Sequence, residues 1–259
     1  MSSDPAPAPP PPQATAFCAE QYVSGDTWIC FNAAVFPVAH EIPFDANAIT
    51  GQYTMTGSAA GRGTTLFFHG EDRDLVLRHY RRGGLVARLS EDAYLWRGFH
   101  ATRAYREWAL LIAMRAEGLP VPEPVAVRVV RRGLLYRADI ITVRIRHTET
   151  FMDRIAEGTL APMAWADVGR AIGRLHATGV YHADLNAANI LLDADGAVYL
   201  IDFDRARRRR PHPRWQRGNL KRLRRSLDKA RDKGRLCFDE TDWAALVTAW
   251  EQVQVASSE

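Results

Sequence analysis

The segment at positions 179–207, GVYHADLNAANILLDADGAVYLIDFDRAR, contains carboxylate, amide and imidazole side chains at a spacing typical of phosphoryl transfer from ATP. His182, Asp184 and Asn189 fit the catalytic-loop pattern H-x-D-L-x-x-x-N. Asp202 and Phe203, which follow further along the chain, fit the start of a D-F-G element. Two linked motifs in this order predict a kinase-like catalytic site.

Each of these residue types matches one task in the reaction. Phosphoryl transfer needs a carboxylate that orients the acceptor hydroxyl, and oxygen ligands for the Mg²⁺ ions that bridge the phosphates of ATP. We predict the first role for Asp184 and the second for Asn189 and Asp202. Since NILLD and VYLID alternate in hydrophobicity around the turn DADG, a β-hairpin is expected to hold these two ligands together. Each residue alone could equally stand at a strand end without chemistry, but the complete set favours catalysis.

A glycine-rich segment upstream predicts a cradle for the phosphates of ATP. Gly57, Gly61 and Gly63 precede an alternating strand, TLFF, and a second strand, LVLRHY. Glycines let backbone N–H groups approach phosphates closely, and Arg78 occupies the place where a protein kinase has the lysine of V-A-I-K. Without the downstream motifs the segment would be only a turn.

The next predicted element is a helix, AYREWALLIAMRAEGL, which carries Glu107. In a kinase lobe the corresponding glutamate pairs with the cation of the preceding strand, so we predict an ion pair between Glu107 and Arg78. The alternative is that Glu107 is one of several solvated helix charges. Strands around VAVRVV and LLYRADIITVRI, and a further helix at PMAWADVGRAIGRLHATG, precede the catalytic loop.

With 259 residues, 47% of them hydrophobic, the chain can bury a real core and could form one two-lobed domain or two small ones. The predicted class is α+β, with a two-lobed protein-kinase-like fold. We predict a disordered Pro-rich tail at 1–16, a nucleotide-binding lobe at 17–147 and a catalytic lobe at 148–259. TWICF and AAVFPV are predicted to add strands to the first lobe. No signal peptide or membrane-spanning segment is predicted, so the expected compartment is the cytosol. Three cysteines without C-x-x-C spacing disfavour a disulfide framework and a structural zinc site.

A strongly basic segment follows the D-F-G-like element. Residues 205–235 contain 15 Lys and Arg against two acidic residues, a net +13 in a chain of net +4. Leu220, Leu223 and Leu227 recur at helical spacing, with Trp215 upstream, which predicts a basic amphipathic helix suited to an anionic membrane surface. Two alternatives stay open: the leucines simply pack on the lobe, or the patch binds nucleic acid. Nucleic acid is not expected, because no RNA-binding motif accompanies the arginines.

The chain resembles one family across about residues 25–240. Four motifs carry the resemblance: VLRHYRRGG, REWALLIAMRAEGLPVPEPVA, HADLNAANILLD and LIDFDRAR. The family is the 3-deoxy-D-manno-octulosonic acid (Kdo) kinase family, in the lipopolysaccharide kinase branch of the protein-kinase-like fold. The resemblance implies ATP-dependent phosphorylation of the 4-hydroxyl of Kdo on lipid A, at the cytoplasmic face of the inner membrane. It also implies the site residues: Asp184 as catalytic, Asn189 and Asp202 on magnesium, Arg78 with Glu107 facing phosphate, and His182 and Phe203 as supports.

Departures from protein kinases bear on the acceptor. Ala183 replaces the arginine that docks a phosphorylated activation loop, and Asp204 replaces the glycine of D-F-G. No A-P-E element follows, and the 57 residues after Asp202 are too few for a peptide-binding platform, which favours a small-molecule or glycolipid acceptor with no obligate protein partner. The alternatives are a kinase for heptose or a small polyol, and a non-catalytic kinase-like module that binds membrane or nucleic acid.

Overall fold

The computed structural model describes residues 17–60, 64–81, 93–158, 160–235 and 237–256. Among them, eight strands form one antiparallel sheet. These are β1 (Ala19–Ser24), β2 (Thr27–Asn32), β3 (Thr54–Ala60), β4 (Thr64–Gly70), β5 (Arg73–His79), β6 (Tyr94–Leu95), β7 (Pro124–Arg132) and β8 (Leu135–Val143). Their order is β1-β2-β7-β8-β5-β4-β3, with β6 also paired to β8. β3, which contains Gly57, therefore forms one edge, and β5, which carries Arg78, lies inside the sheet between β4 and β8.

The two faces of the sheet pack on different partners, because alternate residues of a strand point to opposite sides. On one face, Val127, Val129 and Ile140 join a core with helix α2 (Arg103–Ala116). On the other face the sheet is covered by the chain that links β2 to β3, which includes helix α1 (Ala46–Gln52).

The strand predicted at AAVFPV is wrong, although TWICF lies in β2 as predicted. Asn32 ends β2, and its carbonyl oxygen accepts hydrogen bonds from the backbone N–H groups of Val35 and Phe36, which turns the chain. Pro37 has no N–H to donate to a sheet ladder. The apolar residues of this segment instead cover the sheet, and Phe36 is completely buried.

The remaining helices are α3 (Phe151–Glu157), α4 (Pro162–Ala177), α5 (Pro213–Arg231) and α6 (Glu240–Ala256). α4 and α6 pack unusually closely. A Cβ on Gly169 would lie 2.1 Å from the backbone oxygen of Leu246, and one on Gly173 would lie 2.8 Å from Cβ of Val253. The two glycines of α4 therefore allow the close approach of α4 and α6.

Two small sheets complete the fold. The predicted hairpin is confirmed: β11 (Ile190–Asp193) pairs with β12 (Val198–Leu200), and β9 (Thr148–Thr150) extends this sheet on the other side of β11. β10 (Val180–Tyr181) pairs with β13 (Arg207–Arg208) and closes the segment that contains both motifs. This mixed architecture confirms the predicted α+β class and is that of a two-lobed kinase-like fold. The predicted lobe boundary, 147/148, falls between β8 and β9.

Helix α5 lies within the basic segment, but its apolar face is not exposed. Leu220, Leu223 and Leu227 are buried in the same core as α4 and the catalytic loop. The predicted helix is confirmed, and so is the alternative in which its leucines pack on the lobe, so they are not available to a membrane. None of the helices in the described residues is long and apolar enough to span a membrane. The predicted tail at 1–16 lies outside the described residues.

Candidate active site

The catalytic-loop motif connects β10 to β11, and His182 fixes its conformation. The His182 ring is fully buried. Its Nδ1 accepts a hydrogen bond from the backbone N–H of Asp184 (3.2 Å), so the proton is on Nε2, which donates to the backbone oxygen of Ile201 (3.0 Å). Burial lowers the pKa of His182, in agreement with this neutral form. The imidazole thus ties the loop to the residue that precedes Asp202.

Asp184 and Asn189 lie at opposite ends of this loop and are joined directly. The Asn189 side-chain amide donates to the backbone oxygen of Asp184 (2.9 Å), as does that of Asn186 (3.0 Å). Leu185 anchors the loop in the core. The Asp184 carboxylate is 38% exposed, and Nη1 of Arg222 lies 3.7 Å from its Oδ1. The loop therefore presents the carboxylate to solvent while its backbone is fixed.

Asp202 follows β12 and lies next to Asn189. The backbone N–H of Ile201 donates to the backbone oxygen of Asn189 (3.0 Å), which extends the pairing of the hairpin. Asp202 has a positive φ of 62°, a conformation that Asp tolerates better than most residues and that often marks functional positions. Phe203 is buried, with its ring centroid 5.0 Å from that of His182.

Arg78 joins the sheet to this hairpin. Its guanidinium forms ion pairs with Glu107 on α2 and with Asp202, using a different terminal nitrogen for each. The Glu107 side chain is only 3% exposed, and the hydroxyl of Tyr80 donates to its second oxygen. Burial raises the pKa of Glu107, although Arg78 opposes the shift. Burial also works against the charge of Arg78, but Glu107 above all and Asp202 raise its pKa well above the usual range. Arg78 is thus a permanent cation between two carboxylates.

Three contacts were missed by sequence reasoning. Asp204, noted only as a departure from D-F-G, forms an ion pair with Arg103 at the start of α2, and the Arg103 guanidinium lies 5.0 Å from the ring centroid of Tyr94. The second contact is the hydrogen bond from the Tyr80 hydroxyl to Glu107, and Tyr80 was not among the predicted site residues. Such pairs join residues as far as 101 positions apart, and no local spacing reveals them.

The third contact holds the catalytic loop from the side of α5. Oδ1 of Asn219 accepts from the backbone N–H of His182 (3.2 Å), and its amide donates to the His182 carbonyl (2.9 Å). The same Oδ1 lies 3.3 Å from Nε2 of His176, whose Nδ1 accepts from the Trp250 indole (2.9 Å). Burial lowers the pKa of His176 to about 4, so this network is neutral. The loop is therefore positioned by α4, α5 and α6 together.

Of the three glycines predicted to contact ATP, only Gly57 lies in the described part of the chain. Gly57 lies in β3 at a bulge, with φ of 155°. Gly61 and Gly63 lie outside the described residues. Among the described residues, no group of three or more His, Cys, Asp and Glu side chains is arranged for a metal ion. Asn189 and Asp202 nevertheless carry amide and carboxylate oxygens, which are the hard donors that Mg²⁺ prefers, and the backbone hydrogen bond from Ile201 to Asn189 brings the two residues near each other.

Comparison with known proteins agrees with this geometry. The lipopolysaccharide kinase (Kdo/WaaP) family matches residues 47–250. A 3-deoxy-D-manno-octulosonic acid kinase from Stenotrophomonas maltophilia (strain K279a) is 46% identical over 192 residues, which are 74% of this chain and 76% of the relative. One from Photobacterium profundum is 42% identical over 208 residues, 80% and 88% of the two chains. One from Vibrio vulnificus (strain YJ016) is 36% identical over 239 residues, 91% and 99% of the two chains. The chain belongs to the lipopolysaccharide kinase (Kdo/WaaP) family.

Proposed function

We propose that this protein transfers the γ-phosphoryl group of ATP to a hydroxyl of Kdo, the 4-hydroxyl, on Kdo-lipid A during synthesis of the lipopolysaccharide inner core. The relatives named as 3-deoxy-D-manno-octulosonic acid kinases support the acceptor. One observation carries the chemistry: hydrogen bonds of the loop and hairpin hold Asp184, Asn189 and Asp202 at one place.

The proposed roles follow from the positions of these groups. The exposed Asp184 carboxylate orients the acceptor hydroxyl and accepts its proton. Asn189 and Asp202 would hold Mg²⁺, which neutralises charge on the phosphates of bound ATP. Arg78 supplies a fixed positive charge on the nucleotide side of the site, and Glu107 with Tyr80 prevents its guanidinium from turning away.

Gly57 and the loop beyond it are proposed to contact the phosphates of ATP through backbone N–H groups. Gly57 lies in the edge strand β3, and its φ of 155° belongs to a region that L-residues rarely adopt. A β-bulge between Met55 and Gly57 changes the register of β3 against β4 at this point. A Gly57→Val variant is expected to raise the KM for ATP more than the KM for the acceptor.

The test is mass spectrometry of Kdo-lipid A incubated with the protein, ATP and Mg²⁺, followed by ³¹P NMR of the product. The expected result is a gain of one phosphate, attached at the 4-position of Kdo. Heptose-bearing core acceptors and small polyols are assayed in parallel. A gain of phosphate on one of these and none on Kdo-lipid A would contradict the proposed acceptor while leaving the reaction class in place.

We further propose that the protein acts at the cytoplasmic side of the inner membrane, held there by the exposed cations of residues 205–235. Since the leucines of α5 are buried, attraction to the membrane rests on charge, at about 1 kcal/mol for each cation near an anionic surface. Vesicles that contain anionic lipid are expected to retain the protein at low salt and release it as salt rises. Salt-independent binding to neutral vesicles would contradict an electrostatic attachment.

A further inference from the structure

A cavity of about 460 Å³ lies beside the candidate catalytic aspartate, between β10, the chain after β13 and the first half of α5. Its walls include two aromatic residues and four arginines: Tyr181, Trp215, Arg209, Arg214, Arg222 and Arg225. Arg222 belongs to this wall and is also the residue whose Nη1 lies 3.7 Å from Oδ1 of Asp184. A molecule in the cavity would therefore lie next to the carboxylate assigned to the acceptor hydroxyl.

Most of the positive charge of this cavity has no acidic partner among the described residues, since only Arg222 lies near a carboxylate, that of Asp184. No acidic side chain in the described part of the chain forms an ion pair with Arg209, Arg214 or Arg225. Elsewhere on α5 the pattern differs, because Arg224 pairs with Asp228 and Glu240. Clustered guanidinium groups without partners are suited to carboxylate or phosphate, which they bind through paired N–H donors.

The remaining walls are rigid and keep the space open. Tyr181 and Trp215 meet edge to face, with ring centroids 5.9 Å apart, and the Trp215 indole donates to the backbone oxygen of Arg210 (3.0 Å). The Arg209 guanidinium lies over the Tyr181 ring, 4.1 Å from its centroid. Such contacts hold the wall in place before any ligand arrives, which lowers the cost of binding.

Gly218 also lines the cavity. It lies inside α5, where glycine destabilises a helix by about 1 kcal/mol relative to alanine. No close packing requires it, because a Cβ at this position would have no contact within 4 Å outside its own helix. A larger residue would instead project into the cavity.

We propose that this cavity is the acceptor subsite and that its arginines bind the carboxylate of the sugar acid whose hydroxyl is phosphorylated. The inference rests on the proposed function. A lipid phosphate offers similar chemistry, but the carboxylate and the reacting hydroxyl belong to one sugar ring. Arg222 of the cavity wall likewise lies 3.7 Å from Asp184, so the proposal places the carboxylate of the ring at the arginines and its reacting hydroxyl at Asp184.

The first test is steady-state kinetics on a soluble Kdo glycoside, which carries the carboxylate but no phosphate and no lipid. Arg225→Gln and Arg214→Gln are expected to raise the KM for this acceptor about ten- to a hundred-fold, the range for losing one charge-assisted contact. The KM for ATP and the hydrolysis of ATP without acceptor are expected to stay unchanged. Arg217→Gln is the matched control, because Arg217 is exposed on the same helix and does not line the cavity.

A second variant tests the space rather than the charge. Gly218→Met is expected to fill the cavity and raise the KM for the acceptor, while the melting temperature stays equal or rises because methionine favours helix more than glycine. A variant that only damaged the fold would lower the melting temperature and change both KM values. Equal acceptor KM values for the wild type, Arg225→Gln and Gly218→Met would overturn the proposal.

The source of the anion is distinguished by the acceptor. The methyl ester of the glycoside lacks the negative charge of the free acid, so it is expected to bind weakly to the wild type. Its affinity should match that of the free acid for Arg225→Gln. The ester should bind equally weakly to the wild type and to Arg225→Gln. If Kdo-lipid A loses binding when its phosphates are removed, and the ester binds as well as the acid, the arginines bind lipid phosphate and the carboxylate assignment is wrong.

Direct binding separates failure of this inference from failure of the proposed function. Free Kdo is titrated calorimetrically into the wild type, Arg225→Gln and Gly218→Met. A heat of binding that is measured with the wild type, and with neither variant, supports the subsite even if no phosphate is transferred. No binding to any of the three would overturn it, even if transfer to Kdo-lipid A occurs.

Discussion

The two sides of the catalytic loop differ in how their charged side chains are paired. On the side of the sheet, Arg78 pairs with Glu107 and Asp202, and Arg103 pairs with Asp204. On the side of α5 the buried groups are neutral, as in the network around Asn219. Of the cavity arginines, Arg222 lies near Asp184, and the other three have no acidic partner among the described residues.

This difference separates positioning from binding. The ion pairs on the sheet side fix the geometry of the groups assigned to ATP. Breaking any one of them would leave a carboxylate without its cation, which is unfavourable. On the α5 side, Arg209, Arg214 and Arg225 have no acidic partner in the described part of the chain and leave a positive field for an incoming anion. Asp184 lies near Arg222 on the α5 side, and its backbone oxygen accepts a hydrogen bond from Asn189, just before the hairpin, so the proposed acceptor and nucleotide sites adjoin at this residue.

The largest effect is expected from breaking the sheet side. Arg78→Met would leave the buried carboxylate of Glu107 unpaired, so the free energy of unfolding should fall by about 3–5 kcal/mol. Urea denaturation measures the change. Arg73→Met on the same strand is the control, because its pair with Glu123 is nearer the surface and should cost about 1 kcal/mol or less. Equal losses in the two variants would contradict the distinct role of Arg78.

A smaller effect is expected on the α5 side when pH falls. The pKa of His176 is about 4 in the folded protein, below its usual value of 6.5, so the unfolded chain binds the proton more readily between these values. Stability should therefore decrease as pH falls from 6.5 to 4, by about 3 kcal/mol from this group. Burial shifts the pKa of His182 in the same direction. Unfolding curves of the wild type and His176→Gln over this range measure the contribution. The same pH slope in both proteins would argue against a neutral buried His176.

The smallest of the three effects is expected at Asn219. Asn219→Ala removes the contacts to both backbone groups of His182 and should cost about 1–3 kcal/mol. It should also lower kcat, because the loop that carries Asp184 loses its support. Lys221→Ala, an exposed change on the same helix, should alter stability by less than about 0.5 kcal/mol. An Asn219→Ala protein with unchanged kcat would show that the loop does not depend on α5.

Sequence reasoning succeeded where the signal is local. The hairpin of β11 and β12, the helices α2 and α4, and the positions of Asp184, Asn189 and Asp202 all follow from spacing within a few tens of residues. The catalytic, nucleotide and metal roles of these residues stay predictions that the experiments above address.

Sequence reasoning failed where tertiary packing decides. AAVFPV has the composition of a strand, but it packs over one face of the sheet. The reason is that the chain turns at Asn32 and that Pro37 has no N–H to donate to a neighbouring strand. The leucines of α5 have the spacing of a membrane helix and also that of a core helix, and only the position of α4 distinguishes the two. Asn219 meets His182 across 37 residues, a distance at which periodicity carries no information.

The most direct test of the central claim is kcat for phosphate transfer to Kdo-lipid A by Asp184→Asn, beside Asp195→Asn. Asp195 lies in the exposed turn of the neighbouring hairpin, so the same substitution is made there without touching the site. We expect kcat to fall by about 10²–10⁴-fold in Asp184→Asn, with ATP binding kept, and to equal the wild-type value in Asp195→Asn. An Asp184→Asn protein that transfers phosphate at the wild-type rate would contradict the central claim.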